Sequence, residues 1–279
     1  MTAGVALRRL DAGRRLPPSL PLAGLVVASA LALPIVVLVL RSVVDGALAS
    51  ALGARAVLAA LGLSLATTAT SLVLTVLAGL PLALVLARSR FRGKWLVEAF
   101  VDLPIVLPPS VAGLALLLVL GRRGLFGDTL ATVGVAIPFT TAAVVLAQTF
   151  VSAPFFIRSA LAGFSAVDDD LEDAARVDGG SEASVFRLVT LPLASPALAA
   201  GLVMSWARSL GEFGATIMFA GNIEGRTQTL PLLVYGEFQA GDLDSSIAAA
   251  AILVLAALGV LVAVRALHWG SALDTRGLG

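Results

Sequence analysis

Two charged residues stand four positions apart in an otherwise apolar stretch, and they are the first candidates for chemistry. Arg208 and Glu212 lie within Ser-Trp-Ala-Arg-Ser-Leu-Gly-Glu-Phe-Gly-Ala-Thr, residues 205–216. Residues four apart share a helix face, so the two side chains can form an ion pair. A charge in mid-membrane costs about 2.5–3.5 kcal/mol and usually faces a protein interior or a water-filled path. Two interpretations stay open: a translocation path or gate, and an ion pair that only fixes helix packing. The polar residues predicted on this face are Ser205, Arg208, Ser209, Glu212 and Thr216.

The second candidate is a polar segment, residues 165–192, which holds seven acidic residues and two arginines. Ser165 and Asp168 predict a capping box at the start of a helix, with Asp in place of the usual Glu. Gly179 and Gly180 predict its end, since glycine accepts the left-handed conformation common there. Ser181 can cap a second helix. The segment is predicted to be a helix–turn–helix that faces water or a protein partner; a solvated loop between two spans is the alternative.

Most enzymatic chemistry is excluded by the residues present. The chain has no Cys and a single His, His268, so disulfides and thiolate metal sites are excluded and a buried zinc site is disfavoured. A P-loop needs Gly-x-x-x-x-Gly-Lys-Ser/Thr, and the only lysine, Lys94, is followed by Trp95. The net charge of +1 suggests no nucleic-acid partner. We therefore predict a chain that is not an enzyme and holds no metal, cofactor or ATP site.

The elements that must position these residues are membrane spans. Of 279 residues, 58% are hydrophobic and only 13% are charged, whereas soluble domains are about 25% charged. About 20 apolar residues cross a bilayer. The apolar runs predict an all-α integral membrane protein with six spans, at about 20–40, 56–87, 103–120, 129–157, 191–220 and 247–267. The first run is too long for a cleaved signal peptide. We predict one transmembrane domain, 20–267, between tails at 1–19 and 268–279.

The distribution of basic residues predicts the orientation. With both termini on the cytoplasmic side, thirteen Lys and Arg lie inside and five outside, and Arg208 lies within a span. The outside set is Arg41, Arg55, Arg122, Arg123 and Arg226. Cytoplasmic loops carry the excess of basic residues, so both termini and the segment 165–192 are predicted to be cytoplasmic.

The spacing within the polar segment resembles the EAA loop of ABC importer permeases. Asp173-Ala-Ala is followed after three residues by Gly179, and after nine more by Val189-Thr-Leu-Pro. The family has Glu where this chain has Asp173, and Ile where it has Val189. The resemblance implies a cytoplasmic coupling helix that docks on a separate ATPase subunit. The residues assigned to this role are Glu172, Asp173, Ala174, Ala175, Gly179, Leu191 and Pro192.

Further segments narrow the resemblance. Residues 208–222, 225–231, 102–113 and 120–124 are similar to molybdate importer permeases. Sulfate permeases share Gly-Glu-Phe-Gly and Ala-Gly-Asn, while Gly-Arg-Arg-Gly and Gly-Arg-Thr-Gln-Thr are closer to the molybdate branch. The likeness covers about residues 55–267. It implies the type I ABC importer permease fold in a bacterial-type cell membrane, and a homodimer with ATPase subunits that use ATP and Mg²⁺. An extracytoplasmic binding protein would deliver a tetrahedral oxyanion: molybdate first, with sulfate, tungstate or thiosulfate as alternatives.

Three other functions are weighed against this one. An ion-coupled secondary anion transporter would need several buried acids, and Glu212 is the only firm candidate. An intramembrane enzyme would need a nucleophile–base set or metal ligands. A passive anion channel is opposed mainly by the resemblance of the polar segment to a coupling loop.

Overall fold

The computed structural model describes residues 19 to 274, and this range contains helices and connecting turns but no strand, as the sequence predicts. The predicted tail 1–19, apart from its last residue, lies outside the described residues, as do the last five residues of the tail 268–279. The helices are α1 Ser19–Val44, α2 Ala47–Gly53, α3 Arg55–Arg88, α4 Lys94–Val106, α5 Pro109–Leu120, α6 Gly127–Thr132, α7 Thr141–Ser165, α8 Asp169–Val177, α9 Glu182–Val185, α10 Leu191–Leu210, α11 Gly214–Ala220, α12 Leu230–Gln239 and α13 Leu243–Asp274, with a π-helical turn, Phe186–Thr190, before α10.

Five of the described segments are long and apolar enough to cross a membrane. They are α1 from Leu22, α3, α7, the run Glu182–Leu210, and α13 from Leu243 to Val262. A sixth crossing exists if the pair α4 and α5 counts as one broken span. The chain is therefore a multi-pass membrane protein, and its described residues provide five or six spans by length and composition.

The third predicted span, 103–120, is broken in the structure. Residues 103–120 fall in two helices, α4 and α5, whose axes differ by 119°. Leu107 is extended, with ψ of 135°, and Pro108 and Pro109 follow it. Proline disfavours the helical conformation in the residue before it and lacks an N–H to donate, so α4 ends here. Pro109 then starts α5, where the missing N–H costs nothing.

The fourth and fifth predicted spans are also wrong in their limits. Instead of 129–157, the long helix α7 begins at Thr141, where the Thr140 hydroxyl accepts a hydrogen bond from Ala143 N at 3.3 Å. It continues to Ser165, so Ser165 ends one helix and does not cap the next. Instead of running 191–220, α10 stops at Leu210 and α11 begins at Gly214.

Close packing among α3, α7 and α10 forms the centre of the chain. A Cβ added at Gly163 of α7 would lie 2.6 Å from Ala197 Cβ of α10, and one at Gly79 of α3 would lie 2.9 Å from an Ile157 side-chain carbon. Small residues let membrane helices approach this closely and gain dispersion contacts. α1, by contrast, contacts α2 and α13, and none of its most apolar 18-residue window is buried.

An ion network fixes α4 against α7. The Arg158 guanidinium of α7 donates to both carboxylate oxygens of Asp102, with Nε 2.5 Å from Oδ1, and lies 3.6 Å from Glu98. Bidentate arginine–carboxylate contacts fix the relative orientation of the two groups as well as stabilising them. The angle between α4 and α7 is thus held at the end of α7 that leads into the polar segment.

Candidate functional site

The polar segment folds as the predicted helix–turn–helix, but it starts from a different cap. Asp168, not Ser165, is the N-cap of α8, and its carboxylate accepts a hydrogen bond from Asp170 N at 3.0 Å. α8 ends at Val177, and Gly179 follows with φ of +89°. Ser181 caps α9, as predicted, by accepting from Ser184 N at 3.3 Å.

Glu172 is the one acidic residue of α8 that points inward. It is 6% exposed, and its Oε1 lies 2.5 Å from Arg88 Nη2 at the end of α3 and 2.6 Å from Thr190 Oγ1 in the π-helical turn. Arg88 also donates to Asp169. A buried carboxylate is stable only when paired and hydrogen-bonded. This clamp, defined as Arg88, Glu172 and Thr190, therefore ties α8 to α3 and to the start of α10.

The opposite face of α8 is open. The Asp173 side chain is 70% exposed and accepts from Arg176 at 2.7 Å. Arg176 also donates to Glu182 of α9 at 2.8 Å, and these two carboxylates raise the pKa of its guanidinium above the usual value. The ion pairs join α8 to α9 across the turn. They leave a rigid, water-facing surface with both charge signs.

Exposed apolar side chains border this surface. Val177 is 87% exposed and Leu188 is 76% exposed, while Leu171 is half exposed. The remaining residues assigned to coupling surround them: Ala174, Gly179 and Pro192 are exposed, and Ala175 and Leu191 are partly buried. Exposed apolar groups rimmed by polar ones mark surfaces that bind other proteins. The open face of α8 with Leu188, here called the α8 surface, is thus suited to contact a partner.

The membrane ion pair exists, but not on one continuous helix. Glu212 lies in the break between α10 and α11, fully buried, with Oε2 2.6 Å from Arg208 Nη1. Its Oε1 accepts a hydrogen bond from Ala215 N at 2.7 Å. Glu212 thus accepts from one of the first N–H groups of α11, which have no helical partner. One carboxylate both neutralises Arg208 and contacts the next helix.

Four of the five polar residues predicted to share this face have no exposed surface in the single chain. Ser205, Ser209, Glu212 and Thr216 are all 0% exposed, whereas the Arg208 side chain is 28% exposed. Of this set, Arg208 is the residue whose side chain reaches a surface of the single chain.

The sequence reasoning missed a buried polar seam between α3, α7 and α10. Ser71 of α3 lies 3.2 Å from Thr149 of α7 and 3.4 Å from Ser209 of α10, oxygen to oxygen. Thr68 accepts from Gln148 at 3.5 Å. Hydrogen bonds of this kind join membrane helices. The signal was present in α3, where Ser64, Thr68, Ser71 and Thr75 recur at helical spacing.

Metal ligation has no candidate in the described part of the chain, where no three His, Asp or Glu side chains are grouped to hold an ion.

Comparisons with known proteins agree on one family. The family model described as "binding-protein-dependent transport system inner membrane component" matches residues 79–268. A molybdenum transport system permease protein, ModB of Mycobacterium tuberculosis, is 47% identical over 207 residues, which cover 74% of this chain and 78% of that protein. A sulfate transport system permease protein, CysT of Escherichia coli, is 36% identical over 190 residues, 68% and 69% of the two chains.

Two solved structures show the same fold. A bacterial ABC transporter involved in import of the acidic polysaccharide alginate matches with a TM-score of 0.65 at 19% identity, over 77% of this chain and 79% of that one. The MetNI methionine ABC transporter in inward-facing conformations matches with a TM-score of 0.58 at 20% identity, over 75% and 92%. At these identities the likeness concerns the fold alone.

Proposed function

Because the chain belongs to the family of binding-protein-dependent transport system inner membrane components, we propose that it is the membrane subunit of an ATP-driven importer of a tetrahedral oxyanion, with molybdate as the cargo. The fold is that of ABC transporter permeases, and the cargo is proposed from similarity to a molybdenum permease over 74% of the chain. Sulfate is the second candidate, since a sulfate permease is 36% identical over a similar length.

The observation that carries the mechanism is the clamp at α8. A water-facing helix is joined by one buried carboxylate to the end of α3 and the start of α10. A force applied to the α8 surface would thus move two packed helices together. We propose that an ATPase subunit binds this surface through Asp173, Ala174, Ala175 and Gly179. When ATP binding closes the ATPase subunits, α8 would transmit that movement to the spans.

Alternating access follows from this linkage. The helices α3, α7 and α10 pack closely along their lengths, so displacement of α3 and α10 at one end reorients them as a unit. The break at Glu212 permits α11 to move relative to α10, with Arg208 at the accessible edge. We propose that two copies of the chain face each other across the path, that Arg208 faces the oxyanion as it passes, and that both termini are cytoplasmic.

The division of labour leaves ATP and Mg²⁺ to a partner. The chain lacks the glycine-rich lysine loop that binds nucleotide phosphates. Hydrolysis is therefore proposed for a separate ATPase subunit. An extracytoplasmic binding protein is proposed to supply the oxyanion and most of the selectivity.

The proposal is tested by ATP hydrolysis of the chain assembled with its ATPase subunit in lipid, with the binding protein loaded in turn with molybdate, tungstate and sulfate. Stimulation by molybdate, but not by sulfate, is the expected result. Stimulation by sulfate alone would keep the importer and replace its cargo. Failure of the chain to bind an ATPase subunit would overturn the coupling role of α8 and favour a secondary transporter.

A further inference from the structure

Two sequence motifs that the coupling mechanism leaves unused meet in one pocket. Arg122 and Arg123 follow the end of α5, and Arg226 lies about one hundred positions later, in the loop between α11 and α12. All three residues line a single cavity of about 580 Å³. We refer to this cavity as the basic pocket. Its walls are completed by apolar and hydroxyl-bearing residues, among them Leu117, Leu118, Pro138, Phe139 and Thr140.

No carboxylate with a described side chain balances the charge of the basic pocket. Three arginines line it and no carboxylate does. Among the residues whose side chains the structure describes, 20 and 22–262, no Asp or Glu oxygen lies within 4.0 Å of any of these guanidinium groups, whereas Arg88, Arg158 and Arg208 each have a carboxylate partner. Guanidinium groups form paired hydrogen bonds with oxyanions. The pocket therefore brings three cationic residues together with no described carboxylate to pair with them.

The position of these arginines is unusual for a membrane protein. The pocket adjoins the first residue of α7, because Thr141 Oγ1 donates to Arg226 O at 2.8 Å. α7 has 25 residues and rises about 37 Å before it leads into α8, so the pocket and the α8 surface lie on opposite faces of the membrane. The pocket holds three of the five Lys and Arg predicted outside the cell. Basic residues are depleted there, so their concentration at one point indicates a function.

The two loops that carry the arginines are fixed by their own hydrogen bonds. Beyond α5, the N–H groups of Leu125 and Phe126 donate to the carbonyls of Leu118 and Val119, both at 2.9 Å. In the other loop, Ile223 O accepts from three successive N–H groups, those of residues 226–228. A binding site held in place before the ligand arrives loses less free energy on ordering.

Backbone strain points to the same pocket. Phe139 lines the pocket and has φ of +62°. Among the described residues it is the only non-glycine residue with a positive φ. Its N–H donates to Phe219 O at 3.3 Å, which helps to hold it there. Such conformations cost about 1–3 kcal/mol and cluster at ligand sites. In this conformation Phe139 lines the pocket and is half exposed.

From these observations we infer that the basic pocket is a receiving site for the tetrahedral oxyanion on the outer face, bound by Arg122, Arg123 and Arg226. The inference rests on the proposed function and extends it, because it assigns cargo contacts to the permease itself. A water molecule occupies about 30 Å³ of liquid, so the cavity has room for an oxyanion with part of its hydration shell. The proposed binding is weak, which suits a cargo that must move on.

The test is equilibrium dialysis of the permease–ATPase complex with molybdate, without binding protein, at low ionic strength. The complex is kept in a maltoside detergent, which has no phosphate group. Saturable molybdate binding is expected, displaced by sulfate and tungstate but not by equal chloride. Arg122→Gln and Arg226→Gln should each weaken it about tenfold, the lower range for a charged hydrogen bond. The matched control is Arg55→Gln, an exposed arginine predicted on the same face but outside the pocket; it should bind as the wild type does.

Two results would overturn the inference. Absence of saturable oxyanion binding to the wild type would do so, as would equal loss in Arg55→Gln. If the pocket variants lose retained phospholipid while the wild type binds no molybdate, the arginines bind lipid phosphate instead. ATP hydrolysis measured in the same preparation separates this inference from the proposed function. If molybdate-loaded binding protein stimulates hydrolysis but the complex itself binds no molybdate, the pocket inference is refuted and the proposed function stands.

Discussion

Replacing Glu172 with Gln should uncouple hydrolysis from transport. The carboxylate holds Arg88 at 2.5 Å and Thr190 at 2.6 Å through the same oxygen, in a site that is 6% exposed. The amide keeps the shape and one acceptor but loses the charge. A hydrogen bond to a charged group contributes about 1.5–3 kcal/mol. Loss of one such contact, about 2 kcal/mol, shifts the equilibrium between attached and detached α8 by about 30-fold.

The assay is molybdate uptake per ATP hydrolysed in proteoliposomes with loaded binding protein. We expect Glu172→Gln to assemble and hydrolyse ATP but to import severalfold less per ATP, because α8 would move without α3 and α10. The matched control is Asp170→Asn, in the same first turn of α8, whose side chain is exposed. It removes the same charge near the helix N-terminus, an effect of about 0.3–1 kcal/mol, but leaves the clamp intact.

A double variant sharpens the test of the clamp. Thr190→Val removes the hydroxyl that donates to Glu172. If both variants act through the same contact, the effect of Glu172→Gln with Thr190→Val is smaller than the sum of the single effects, since neighbours in one network are not additive. A wild-type ratio of uptake to hydrolysis in Glu172→Gln, or an equal loss in Asp170→Asn, would refute the reasoning.

Two further predictions concern the buried ion pair and the end of α8. Arg208→Ala leaves the Glu212 carboxylate fully buried without its cationic partner, which costs about 3–5 kcal/mol. The single variant should therefore lower the thermal unfolding temperature in detergent more than the double variant Arg208→Ala with Glu212→Gln. An equal or greater loss in the double variant would contradict the pairing. Gly179→Ala places a side chain on a backbone with φ of +89°, which costs about 1–2 kcal/mol. It should reduce co-purification of the ATPase subunit without reducing the amount of inserted protein. Gly134→Ala, where φ is +71° and the space is equally open, is the matched control, and an equal reduction there would mean that backbone strain in general is responsible.

Much of the architecture follows from local rules. Apolar runs predicted six crossings, and the described residues contain five, or six if α4 and α5 form one broken span, since about 20 apolar residues are needed in any sequence to span a bilayer. The end of α8 shortly before Gly179 and the cap at Ser181 follow from side-chain and backbone preferences within three or four residues. The break at Pro108–Pro109 was equally local, since both prolines lie within the predicted span 103–120, but the prediction placed no break there.

Contacts between distant positions could not be read in this way. The residues next to Glu172 in the sequence resemble those next to the exposed acids of α8, so local sequence does not distinguish it. Its inward orientation depends on Arg88, 84 positions earlier. The sequence predicted that Glu212 pairs with Arg208, but only the folded chain shows that its carboxylate also contacts α11 across a helix break. Arg122, Arg123 and Arg226 are merely scattered cations until the start of α7 brings their loops together. Hydropathy and turn preference act over a few residues, whereas burial, pairing and pocket charge are set by helices packed from remote parts of the chain.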